Sequence, residues 1–335
     1  QSAAVTVEVS PAAPAARRLP PPQLAQWRPR LAGELEVADR VALIRALAEI
    51  PRPPRAFHQL ASPEFVSSAS SSQLSELVTA EPVIAAKVMA TVNSPLYGLQ
   101  RPVTSIGQSV TFLGINSVRV ICMRYMLSKS FHAGSPALRT VYDEIWAASA
   151  LASELCFKLA QQLGLAEPGA LVTQVVLSFL GRFAALALLP PEVGAAYARQ
   201  GMLQRSITEQ QRLELAAPEL SGLLMQGWGL PPALLEDVLD SERILVTPCP
   251  ATLDARGAGL ALCYLCARLG ERLAAGADID LAAFDPAEAG PEFFYLGDYL
   301  QIGPLRRVGE ALRSAELLRS VSQLRGRLTN PRPAP

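Results

Sequence analysis

Apolar residues recur at helical spacing from Ala38 onward. Val41, Ile44, Leu47 and Ala48 fall on a 3.6-residue repeat. That run stops at "IPRPP", residues 50 to 54, because proline lacks the N–H a helix interior needs. A serine-rich break follows. Ser70 with Gln73 has the pattern of a capping box, which predicts a helix start near residue 71. Another start is predicted at Glu81-Pro82, with an apolar face of Val83, Ile84, Val88, Met89 and Val92 that Asn93 closes. Ser105 and Gln108 repeat the capping pattern, and Gly114 can end that helix in a left-handed conformation. Asn116 can cap the next one, which carries Val118, Val120, Ile121 and Met123.

Further helices are predicted at about 136–164, 168–189, 192–200, 207–227, 231–240, 252–275 and 304–327. No run alternates in the manner of a strand, and no fixed-period repeat is visible, so the expected class is all-α. Residues 1 to 30 hold six prolines and no durable periodicity. The resulting division is a disordered or extended leader over 1–37, a helical domain over 38–250, a helical C-terminal extension over 251–328 and a flexible tail over 329–335.

Composition narrows the function classes. Half the residues are hydrophobic and only 6% aromatic, so the core must be built mainly from Leu, Ala and Val. Lys plus Arg and Asp plus Glu are both 30, a balance that carries no signal for nucleic acid or an anionic membrane. The apolar window at 169–190 is broken by Gln174, Ser178 and Arg182, so it predicts a buried helix rather than a span of roughly 20 apolar residues. The five cysteines are odd in number, and four sit in or beside apolar runs. That favours reduced thiols over a disulfide framework, and with no signal peptide at the start the expected location is cytoplasmic.

One polar, turn-rich passage stands out, "NSPLYGLQRPVTSIGQSVTFLGINSVR" at 93–119. Together with "IPRPP", "EPVIAAKVMATVNSPLYG" and "WGLPPALLEDVL", in that order between Ile50 and about Glu242, it resembles the HDOD domain. That family is related to the HD-type metal-dependent phosphohydrolases. The resemblance implies an α-helical bundle in which the passage at 93–119 joins two helices. It also implies where metal ligands would lie. Relatives often keep "LLHDIG" in the middle helix, where this chain reads "VLSFLG", so Ser178 and Phe179 stand in place of His and Asp. Pro218 stands near the place of a further His, and Ser241 and Glu242 where a His pair tends to follow. A di-metal site needs several imidazole and carboxylate ligands around ions ~3.5–4 Å apart. This chain has two histidines, His58 and His132, far apart in sequence. The resemblance therefore implies a degenerate site, with no catalytic residue, no metal and no cofactor.

Other candidates have plainer readings. Cys263-x-x-Cys266 lies in "LALCYLCARL" and reads as core thiols, because a zinc site wants four ligands and the nearest other cysteine considered is Cys249. His58 and His132 read as surface or capping residues. Ser178 lacks the elbow of a nucleophile and reads as a small packing residue. The helix–Gly–helix at 105–124 is too apolar for a DNA-reading pair, Arg119 and Arg124 apart. The aromatics Phe293, Phe294, Tyr295 and Tyr299 either anchor the tail to the bundle or mark an exposed interaction surface.

The reading is a regulatory or scaffolding protein of bacterial signal transduction that binds a protein partner, with no nucleic acid or membrane involved. A link to cyclic dinucleotides comes only through the family resemblance. For the motif residues two roles remain open: Asn93 and Ser94 satisfying backbone groups, or Asn93, Ser94, Pro95, Tyr97, Gly98 and Arg101 meeting the partner. The alternative function is a small-ligand or nucleotide receptor. Apolar filling around Ser178, Phe179, Pro218, Ser241 and Glu242 would favour the scaffold, and an open cavity with convergent Arg and Asn side chains the receptor.

Overall fold

Prolines and hydroxyl caps set most of the helix starts. The computed structural model describes residues 19–93, 99, 101–131, 134–276 and 279–329. After α1 (Pro22–Gln26) and α2 (Val37–Ala48) come α3 (Arg55–Ala61), α4 (Pro63–Ser68), α5 (Ser71–Thr79), α6 (Pro82–Val92), α7 (Ile106–Leu113) and α8 (Ile115–Ser128). The middle of the chain forms α9 (Pro136–Leu163), α10 (Pro168–Ser178), α11 (Leu180–Leu188), α12 (Pro191–Ala198), α13 (Met202–Leu213), α14 (Ala217–Trp228) and α15 (Pro232–Glu242). The C-terminal part adds α16 (Ala255–Ala274), α17 (Leu296–Tyr299), α18 (Val308–Leu312) and α19 (Ala315–Thr329). Among the described residues there is no strand, and the fold is the all-α bundle that the apolar spacing predicts.

The centre is the pair α9 and α16, which lie along one another, with α10 packed on both. Every residue of α16 from Ala258 to Gly270 is buried, as expected of a helix apolar on all sides. On one side α14 packs against α11 and α15; on the other α3 and α5 to α7 gather around α8. The C-terminal α18 and α19 close over α9. The run Pro168–Leu188 has the length and apolarity of a membrane span, yet 83% of its most apolar window is buried inside the fold.

Several boundaries differ from those the sequence predicts. The run at 207–227 is two helices, because Glu214 takes a left-handed φ of 68° and Pro218 can sit only in the first turn of α14. The run at 304–327 breaks at Ser314, whose hydroxyl accepts the Leu317 N–H and starts α19. Gly114 does not end α7 in the left-handed helical region. Its φ of 80° and ψ of 155° bend α7 against α8 by 118°, and α8 begins at Ile115 with Asn116 already inside. That backbone region is open essentially to glycine alone.

The described part of the segment 1–37 packs on the bundle. Leu24 and Leu35 are buried, and residues 28 to 32 are tied to α13 and α14. Gln210 accepts from the Arg30 N–H at 2.8 Å and donates to the Arg28 carbonyl at 3.1 Å, and Glu219 accepts from the Ala32 N–H at 2.9 Å. Residues 1–18 lie outside the described residues. The face of α2 also differs: Leu47 is in the core with Leu43 packed beside it, whereas Val41 and Ile44 are exposed.

Candidate functional site

Asn93 caps α6, and its side chain reaches ten residues ahead. The amide nitrogen donates to the Val103 carbonyl at 2.9 Å, and the amide oxygen accepts from the Val103 N–H at 2.7 Å. Both ends of the amide thus pin the start of the next segment to the end of α6. Ser105 then caps α7 by accepting from Gln108 N–H, while the Gln108 side chain accepts from Thr104 N–H rather than returning to Ser105. At Ser70 and Gln73 both arms of the capping box are present. Arg101 is exposed, and Ser94, Pro95, Tyr97 and Gly98 lie outside the described residues, as does His132. His58 is half-buried on α3, edge-on to Phe57.

Arg119, at the end of the same sequence motif, points into the protein and is 1% exposed. Its guanidinium donates to the carbonyls of Leu60 and Gly169 and to the Thr173 hydroxyl, at 2.9, 2.6 and 2.7 Å. Burial brings it down to about 10. It bolts α8 to the end of α3 and the start of α10, and it has no freedom to read a base edge.

The positions implied as metal sites lie at the end of α10, the start of α14 and the end of α15, three helices that pack on one another. Between α11 and α14 the approach is so close that a Cβ on Gly181 would lie 1.9 Å from the Ala217 carbonyl oxygen. The Ser221 hydroxyl faces the Leu177 carbonyl at 3.4 Å, and Glu219 meets Arg243, next to Glu242, at 3.2 Å. The residues there do not fit a metal. Ser178 and Ser241 are buried with their hydroxyls donated to their own helices, to the Val175 and Val238 carbonyls, both at 2.9 Å. Phe179 is 1% exposed, Pro218 is half-buried at the start of α14, and Glu242 faces Arg268 at 3.3 Å. Among the described residues no three His, Cys, Asp or Glu side chains are grouped to hold an ion.

Beside these positions lies an ionic network that spacing does not announce. Glu271 of α16 faces Arg205 at 2.6 Å, Arg182 at 3.0 Å and Arg268 at 3.6 Å. Burial alone would raise the Glu271 carboxyl, but Arg205, Arg268 and Arg182 outweigh it and hold it far below the usual carboxylate range. Glu209 of α13 accepts from the Tyr197 hydroxyl and from the Ala217 N–H, capping α14. Burial leaves Glu209 and Glu242 raised; the Tyr197 hydroxyl and the Ala217 N–H partly offset it at Glu209, and Arg268 does so at Glu242. The available signal was charge inside apolar helix: Arg182 within "FLGRFAAL", and Arg268 and Glu271 three apart in "CARLGER".

The thiols also gained a partner. Cys156 of α9 lies against Cys263 and Cys266, all three buried, while Cys249 stands apart. Burial pushes the Cys263 and Cys266 thiols well up, so they behave as core side chains. The tail aromatics divide: Phe293 and Tyr299 are buried, Phe294 and Tyr295 half-buried.

Among protein families, the HDOD domain matches residues 50–244. The chain belongs to the HDOD family. Those bounds agree with the segment singled out by its motifs, Ile50 to about Glu242. No curated protein matches the chain. In fold it resembles an HDOD domain protein of unknown function from Geobacter sulfurreducens, with a TM-score of 0.59 at 16% identity over 89% of this chain and 100% of that one. A protein from Shewanella amazonensis SB2B assigned as a phosphohydrolase gives 0.57 at 19% identity, over 86% and 98%. One from Marinobacter aquaeolei VT8 assigned to signal transduction gives 0.55 at 19%, over 89% and 69%. The shared fold reaches well beyond the HDOD segment, and α16, outside that segment, packs along α9 at the centre of the bundle.

Proposed function

We propose that this HDOD protein is a non-catalytic regulator of bacterial signalling that acts by binding a protein partner. The observation that carries the non-catalytic half is the filling of the implied metal positions: Phe179 is packed inside, and Glu242 is engaged by Arg268. A phenyl ring offers no ligand, and a carboxylate held by a guanidinium is a poor one. Exposed apolar side chains support the binding half. Val37, Val41 and Ile44 form a line along α2, and Val83 and Phe112 are 64% and 62% exposed on α6 and α7.

Elemental analysis after gel filtration tests the first half. Less than one equivalent of Mn, Fe, Zn or Mg per chain is expected, and one or two tightly held ions would overturn it. The second half is tested by capture from the native cell with three baits: parent, Arg101→Ala and Val41→Asp/Ile44→Asp. A protein retained by the parent and lost from a correctly folded variant is expected; identical capture by all three would count against these surfaces.

A further inference from the structure

A cavity of about 460 Å³ opens beside the filled metal positions, among α9, α11, α16 and the turn between α12 and α13. Five arginines line it: Arg182, Arg199, Arg205, Arg268 and Arg272. Its acids are fewer and mostly engaged. Glu271 is shared by three of those arginines, Glu292 is taken by Arg272 at 2.5 Å, and Glu144 is exposed. Behind the lining, Glu242 faces Arg268, and Glu209 is held by Tyr197 and the start of α14. Behind the cavity wall the Nε–H groups of Arg182 and Arg268 and the Oε1 atom of Glu271 are buried without a hydrogen-bond partner. A buried guanidinium donor left unpaired is costly. Burial and the neighbouring Arg205 charge lower Arg182, whereas the surrounding carboxylates outweigh burial and hold Arg205 and Arg268 raised.

The geometry points to this cavity as a binding site for a small ligand that carries a phosphate group. Guanidinium forks match phosphate oxygens two at a time and remain charged when partly desolvated. An anion there would meet the guanidinium groups that line the cavity, Arg199 being the most exposed of them. The volume falls in the range of small-molecule pockets, about 300–1,000 Å³, and exceeds what a bare phosphate fills, so the phosphate would bring an attached group. This site uses none of the positions of the implied metal centre. It gives the receptor alternative its chemistry, and it is independent of partner binding.

The test is calorimetric titration of the full chain at low ionic strength with pyrophosphate and with adenosine monophosphate. Saturable binding of at least one probe is expected, weakened about tenfold or more in Arg199→Glu and in Arg182→Gln, as follows from losing a charged contact to phosphate. Arg199 is exposed, so its variant keeps the parent fold even if Arg182→Gln unfolds. No saturable binding of either probe overturns the proposal. So does equal competition by sulfate at matched ionic strength, or undiminished binding in Arg199→Glu. None of these outcomes bears on the partner-capture experiment.

Discussion

Asn93 directs both halves of its amide to the backbone of Val103, so its removal unpairs a donor and an acceptor at once. The residue is exposed, and water can replace part of what is lost. Asn93→Ala should therefore lower stability by about 1–2 kcal/mol, the range for hydrogen bonds at such a site. A circular-dichroism melt of Asn93→Ala and Arg101→Ala beside the parent checks this, with Arg101→Ala expected to melt like the parent. An unchanged melt for Asn93→Ala would mean that the amide serves something other than the fold. Glu271 presents the opposite case, a buried carboxylate among three guanidiniums. Glu271→Gln should cost roughly 3–5 kcal/mol at neutral pH, because the arginines lose the charge that offsets their burial. The sign with pH follows from the lowered value in the folded protein. This stabilisation is full above 4.5, the value the unfolded chain would show, and is lost as pH falls below it. The gap between parent and variant in urea denaturation should then narrow in acid; a constant gap down to the acid transition would sink the charge argument.

At the scale of elements, the junction between α10 and α11 decides the character of the site. Phe179 sits at the turn, in a helical conformation with φ −78° and ψ −13°, and its ring is inside. Two residues on, Gly181 lets α14 approach with its Ala217 carbonyl in the space a Cβ would need. Removing the ring from so close a junction leaves a void that the surrounding helix ends cannot easily close. Phe179→Ala should cost about 3–5 kcal/mol, read from the shift in the chemical-denaturation midpoint. A midpoint that hardly moves would show a junction able to collapse, and with it a looser site than the one described. Elements were legible where local chemistry is decisive, as at the Ser70–Gln73 capping box and the proline starts. They were misplaced where a backbone exception intervenes. Glu214, left-handed and not glycine, ends a helix with no advance signal, and its capacity to do so comes from the segment 28–32 and α14 packed around that turn.

For the molecule as a whole, the sequence by itself determined the class and the family. Helical spacing without strand alternation is a local property, set by where side chains leave a 3.6-residue repeat, and it survives into the all-α bundle. The ordered motifs between Ile50 and Glu242 are likewise linear, so the HDOD family was readable from them. The tertiary structure alone decided which faces meet. The apolar repeat on α2 could not tell that Leu47 would be buried and Val41 and Ile44 exposed, because both lines are apolar and the positions of α14 and α11 choose between them. Nor could spacing bring Cys156 to Cys263 and Cys266, or Arg182 and Arg205 to Glu271, since each contact joins helices far apart in the chain. A charge in an apolar helix is a local oddity on its own; it becomes a network, and beside it an arginine-lined cavity, only when packing excludes water and leaves those charges to satisfy one another.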